Sequence, residues 1–213
     1  MQQKLILGSS SPYRKALLQR LNLSFECVSP NIDEQPLIHE SPEALVKRLT
    51  ISKAQAVAEQ IDKCPPSTTS SIIIASDQVA VLHKDILGKP HTHTKAIAQL
   101  TRFSGEKVSF LTGLCVFNTA TQKYDYSLVP YHVHFRQLSE QEIVNYVSLE
   151  QPLDCAGSFK CEGLGVTLFE KMAGDDPTAL IGLPLIELCR LLRKQGINPL
   201  EMNDKLNYSI QGQ

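Results

Sequence analysis

The chain has 213 residues, 42% hydrophobic and 20% charged, which is soluble-globular composition and suits one large domain or two small lobes. Lys and Arg number 21 against 22 Asp and Glu, and a formal net charge of -1 argues against bulk nucleic-acid binding, where a basic excess supplies most of the affinity. No apolar run reaches the ~18 to 20 residues that cross a bilayer. Met1-Gln2-Gln3-Lys4 leads straight into a short apolar strand, so the start reads as a mature cytoplasmic N-terminus and not a signal peptide.

Lys4 to Gly8 (KLILG) is a short apolar run that predicts a buried strand. Ser9-Ser10-Ser11-Pro12 follows, with Ser11 a good helix cap and Pro12 at the first helical position, so a helix runs on through Leu21. Phe25 to Val28 is a second short strand. Ser41-Pro42-Glu43 opens a long helix to about Ile61 by the same logic, and Cys64 to Ser71 is a loop. Ile72 to Ala75 is a fully buried strand ending at Ser76-Asp77-Gln78, and Val79 to His83 either continues it or forms another. Thr94 to Phe103 is helical. Val108 to Asn118 and Tyr124 to Phe135 form a long hairpin. Ser139 to Glu142 is a capping box opening a helix to about Leu149. Asp176-Pro177 caps one helical turn, and Pro184 restarts a helix that runs to Lys194 and stops before Gly196. Residues 201–213 are polar and irregular and read as a mobile tail behind a single domain of residues 1–200. Alternating elements interrupted by a hairpin predict a mixed α/β sheet.

Six cysteines are present, none in a C-x-x-C pair or at zinc-ligand spacing, so they read as free thiols of a reducing compartment. His91 and His93, and His132 and His134, lack ligand partners and read as polar surface. No Walker A loop and no G-x-S-x-G elbow occurs.

Several residues sit oddly for plain structure. Ser9 to Arg14 places a hydroxyl-rich loop and an arginine at a helix N-terminus, where free N–H groups favour an anion and the dipole disfavours a cation. Read alone, it is also a capped helix with an exposed arginine. Lys53 falls within the apolar stripe Leu45, Leu49, Val57, Ile61, so it either snorkels to water or meets an anion in a cleft. Asp77 stands at the carboxyl end of a buried strand, the place where open α/β sheets bind ligands, and a carboxylate there serves as general base, metal ligand or simple turn residue. Gly88-Lys89-Pro90 offers a point charge to a phosphate, or is a turn. Asp33-Glu34 suits Mg²⁺ or Mn²⁺, or is solvated loop charge. Ala156 to Gly163 is a glycine-flanked segment that either binds or turns.

The order of these pieces carries more than each alone. LILGSSSPYRKALLQRL, Asp33-Glu34, Lys53-Ala54, Ser76-Asp77-Gln78, Leu87 to Pro90, Thr112-Gly113, Ala156-Gly157-Ser158 and Ile181 to Pro184 together resemble the Maf family of nucleoside triphosphate pyrophosphatases, over residues 4 to 197. The resemblance implies a mixed α/β fold related to inosine triphosphate pyrophosphatases, with two lobes around a cleft, a homodimer, a divalent metal cation, and hydrolysis between the α and β phosphates. It implies that Asp77 accepts a proton from the attacking water. Ser9, Arg14, Lys53 and Lys89 would hold phosphates, Glu34 and Asp77 would bind metal, and Glu34 and Lys53 would assist catalysis. Members acting on dTTP and UTP carry Arg, Thr and Gln where this chain has Tyr13, Gln78 and Glu162. The latter set is similar to the YceF-type branch, which acts on 7-methyl-GTP, although that branch carries Trp at the Tyr13 position. The resemblance leaves two rivals: a dTTP/UTP pyrophosphatase, and a non-enzymatic nucleotide-binding regulator of cell division.

Overall fold

The computed structural model describes residues 3–62 and 70–201. A seven-stranded mixed sheet is flanked by five helices. The strands are β1 (Lys4–Gly8), β2 (Glu26–Cys27), β3 (Ser71–Leu82), β4 (Asp85–Leu87), β5 (Lys107–Asn118), β6 (Lys123–Phe135) and β7 (Phe169–Ala173). The helices are α1 (Pro12–Gln19), α2 (Pro42–Asp62), α3 (His93–Phe103), α4 (Glu140–Glu150) and α5 (Leu185–Lys194). The order β2-β1-β3-β5-β6-β7 has parallel pairs at the β1 side and antiparallel pairs beyond β3, with β4 paired to the free side of β3. The mixed α/β reading holds, and the caps fall where the sequence puts them: Ser11 on α1, and the Ser139–Glu142 box on α4.

Three expectations change. The strand read as Ile72 to Ala75 does not stop at Ser76 to Gln78; β3 runs unbroken through twelve residues, because β5 pairs with it from Ile72 to Leu82. Asp77 is therefore mid-strand, not at a strand end. Ser71, read as loop, opens β3. The short strands β4 and β7, invisible in the sequence pattern, are pinned by β3 and β6. Cys64, the remainder of its loop up to residue 69, and the tail beyond residue 201 lie outside the described residues. Among the described residues, Cys27, Cys115, Cys155, Cys161 and Cys189 are free thiols, and no helix is long and apolar enough to cross a membrane.

Strand alternation makes β3 the spine of two lobes. On one face, Ile72 and Ile74 pack with Leu17, Leu18 and Leu188 under α1 and α5, while Ala80 and Leu82 pack with Leu100, Phe103 and Val147 under α3 and α4. On the other face, Ile73 and Ala75 pack against Ala54 and Val57 of α2, and Val79 and Val81 against Leu45 and Leu49 of the same helix. Each fully buried aliphatic contributes about 1.5–3 kcal/mol. On both faces the apolar run breaks at the same place, Ser76 to Gln78, where polar side chains separate the clusters.

The edge of β3 breaks there too. β1 ends its pairing at Gly8 opposite Ala75, and β4 begins at Leu87 opposite Ala80. Between them, Ser76 to Val79 have no strand on that side, and this window is the cleft between the lobes.

Candidate active site

Asp77 occupies the window. It is 6% exposed, and Lys53, 5% exposed, reaches it from α2 with Nζ 2.5 Å from Oδ1. The same Nζ lies 3.0 Å from Glu34 Oε1, on the loop before α2. So Lys53 does not snorkel; it meets two carboxylates, one buried and one with its side chain 57% exposed. The approach depends on Gly113, which pairs with Asp77 across β5: a Cβ there would stand 2.7 Å from a Val46 methyl and also strike Thr50. Only a residue without Cβ lets α2 lie close enough for Lys53, one turn past Thr50, to reach the strand.

Arg14 comes from the opposite side. Its Nε donates to Gly182 O at 2.9 Å. Burial lowers the pKa of its guanidinium, and the carboxylates of Asp77 and Glu34 oppose that shift. A cation in the first turn of α1 thus lies close enough to both acids to feel their charge. Ser9, also buried, accepts from Ser11 N at 3.1 Å and shapes the loop between β1 and α1.

The Gly182 carbonyl is a junction the sequence did not reveal. It accepts from Arg14 and lies 2.8 Å from the buried Ser76 hydroxyl, whose single proton is shared between it and Gly113 O at 2.7 Å. Next to it, Gln78 Nε2, with two protons to give, lies within hydrogen-bond reach of Ala179 O at 2.7 Å, Thr112 Oγ1 at 2.8 Å and Leu180 O at 3.2 Å. Gln78 therefore clasps the 179–182 segment to the sheet. Asp176 caps more than its own turn: it also accepts from Ile186 N at 2.7 Å and so starts α5. Alternation along β3 was a usable signal here, since it puts Ser76 and Gln78 on the face opposite Asp77.

The other singled-out residues form a second group. Tyr13, on α1 beside Arg14, has its hydroxyl 4.0 Å from Cys155 Sγ. Its phenol is pushed up to about 12, chiefly by burial and then by the neighbouring Cys155 and the charges of Glu162 and Asp154. Glu162 is exposed and accepts from the Cys161 thiol at 3.2 Å. Tyr13, Cys155 and Glu162 thus form a second neighbourhood. Lys89 is exposed past β4 and makes no hydrogen bond or ion pair with either group. Its loop is tied elsewhere, through Gln99 Nε2 to Gly88 O at 3.2 Å. His132, read as polar surface, is half-buried with Nδ1 2.9 Å from Ser109 Oγ, and burial lowers its pKa.

Two acids, a lysine and an arginine thus gather at a break in the sheet. Among the described residues, no three or more His, Cys, Asp or Glu side chains form a protein-only metal cage. Residues 4–195 match the family described as Maf-like protein, and the chain belongs to the Maf family. Two similar relatives are the "7-methyl-GTP pyrophosphatase" of Colwellia psychrerythraea, 50% identical over 95% of this chain and 98% of its own, and that of Aliivibrio fischeri, 51% identical over 94% and 100%. The solved structure of the Staphylococcus aureus Ham1 protein aligns at 10% identity and TM-score 0.45, covering 76% of this chain and 90% of that chain.

Proposed function

We propose that this chain hydrolyses 7-methyl-GTP to 7-methyl-GMP and pyrophosphate, removing a modified nucleotide from the pool. The observation that carries the proposal is the Glu34–Lys53–Asp77 cluster at the unpaired window of β3, with Arg14 facing it. The full-length relatives named for that activity support it. Water attacks the α-phosphorus and gives its proton to Asp77; the new P–O bond forms as the bond to the β-phosphate oxygen breaks, and pyrophosphate leaves. Lys53 and Arg14 hold the charge that builds on the phosphate oxygens. Ser9 lines the phosphate end, and Lys89 reaches the triphosphate only if its loop closes on the bound nucleotide.

Asp77 and Glu34 both reach Lys53 Nζ, so a Mg²⁺- or Mn²⁺-type cation would be held by their other carboxylate oxygens together with substrate phosphates, as such ions share one or two carboxylates with phosphates. Bound there, the ion would neutralise triphosphate charge. At the other end, the Tyr13 ring offers a π face to a cationic base, worth ~0.5–2 kcal/mol. Glu162 accepts from the N1–H and N2–H₂ edge of guanine. Uracil and thymine present one such donor, so they meet the carboxylate with one charge-assisted hydrogen bond fewer. Gln78 enters specificity by fixing the 179–182 segment. The reading includes a homodimer in the cytoplasm; sedimentation tests the dimer.

The test is pyrophosphate release from 7-methyl-GTP, GTP, UTP, dTTP, CTP and ITP with Mg²⁺ or Mn²⁺. A clear lead for 7-methyl-GTP is expected. A lead for UTP or dTTP overturns the base assignment and keeps the chemistry. No release from any nucleotide overturns the enzyme reading.

A further inference from the structure

The segment bearing Glu162 is irregular, yet it is held from three directions. Phe159 anchors its start in an aromatic cluster, edge-on to Phe110, Phe135 and Phe169 with ring centroids 4.9 to 5.7 Å apart. Lys160 O then accepts from Gly163 N at 3.3 Å and Gly165 N at 3.1 Å, closing a tight turn with Glu162 at its tip. A Cβ on Gly165 would strike the Lys160 backbone, so that turn closes only on glycine.

The third hold is Glu150, the last residue of α4. Its Oε2 accepts from Leu164 N at 2.8 Å, its Oε1 lies 3.5 Å from Lys160 Nζ, and its backbone carbonyl accepts from the same Nζ at 2.8 Å. The two side chains are mostly buried, at 16% and 25% exposure. One turn back on α4, the Tyr146 hydroxyl accepts from Lys160 N at 3.1 Å. Gly163 makes room for the carboxylate: a Cβ there would sit 2.6 Å from Glu150 Oε2. One acid and one phenol thus grip the residues on both sides of Glu162.

We infer that Glu150, with Tyr146, is a positioning residue for base selection: it holds the 160–165 turn so that the Glu162 carboxylate meets the edge of the base. This rests on the reading of Glu162 as the base-contacting acid. Glu150 touches no substrate and acts only through the turn. A recognition group displaced by about an ångström loses much of its effect.

The experiment measures kcat and KM for 7-methyl-GTP and for UTP in Glu150→Ala, Glu150→Gln, Tyr146→Phe, Glu162→Gln and the double variant Glu150→Ala/Glu162→Gln. Glu150→Ala and Tyr146→Phe should lower the 7-methyl-GTP to UTP ratio of kcat/KM on the order of tenfold, mainly through KM. Glu150→Gln keeps an acceptor for Leu164 N and should recover part of the loss. In the double variant, the Glu150 change should cost no further preference, since the group it positions is gone. A ratio unmoved in Glu150→Ala and Tyr146→Phe, or losses that add in the double variant, overturns the inference while Glu162 keeps its role. A ratio unmoved in Glu162→Gln overturns the base reading itself and this inference with it. If Glu150→Ala does not fold, Tyr146→Phe and Glu150→Gln decide the question by the same ratio.

Discussion

The two ends of the proposed site are built differently. At the proposed phosphate end, Lys53 and Asp77 project from a long helix and the middle of a twelve-residue strand, and both are nearly inaccessible to solvent. At the base end, Glu162 is exposed on a turn with no regular secondary structure, held by side chains of α4. The contrast teaches a division of labour. Charge stabilisation gains from a rigid, partly dehydrated frame, where each interaction is stronger. On the proposed reading, base selection rests on a turn outside the sheet.

The sharpest way to break this comparison is Asp77→Asn. It removes the proposed proton acceptor and should lower kcat on the order of 10²- to 10⁴-fold while nucleotide binding, followed by calorimetry, persists. A kcat near the parent value would mean that the buried end is not where the chemistry happens. Lys53→Met comes next, and reads stability as well as rate. It leaves Asp77 buried without its cation and should cost about 3–5 kcal/mol in urea unfolding. A loss below about 1 kcal/mol, typical of surface pairs, would erase the difference between the ends.

Tyr13→Leu probes the base end. It keeps an apolar side chain and removes the π face, so the preference for 7-methyl-GTP over GTP should shrink by ~0.5–2 kcal/mol. An equal loss for both nucleotides would assign Tyr13 to packing. The smallest effect concerns the one exposed piece of the buried end, the Glu34 loop. Arg48 grips Glu40 with two bonds of 2.7 Å and also donates to Gln35 O at 3.0 Å, next to Glu34. The Arg48 bonds and the Leu37 N–H hold the Glu40 carboxyl down to about 2, below its ordinary 4.5. A depressed carboxyl stabilises above its ordinary value and loses that contribution as pH falls through about 2. Glu40→Gln should therefore be less stable than the parent near neutral pH, with the gap closing toward pH ~2 in a series of urea midpoints. A gap that persists in acid would show that the pair does not set the loop.

Legibility follows the same divide. The strand β1, the capped start of α1, the proline start of α2 and the capping box of α4 were readable because caps and apolar periods are local signals. Arg14 and Lys53 stood out because each violates a local rule, a cation at a helix N-terminus and a charge in an apolar stripe. Asp77 was singled out for the wrong location. A strand end and a strand middle with one edge unpaired look alike in sequence, since the register of β1 and β4 decides which it is. Glu150 gave no signal at all, being an ordinary acid at a helix end.

By itself the sequence determined which side chains carry charge into apolar surroundings and where most regular elements begin, because propensity, capping and periodicity act over a few residues. Only the tertiary structure decided that Glu34, Lys53 and Asp77 meet at one point, that Gly182 O joins Arg14 to Ser76, and that Glu150 grips the turn of Glu162. Those contacts link residues far apart in the chain. They exist because burying the apolar faces of one twelve-residue strand forces the helices and loops around it into a single arrangement.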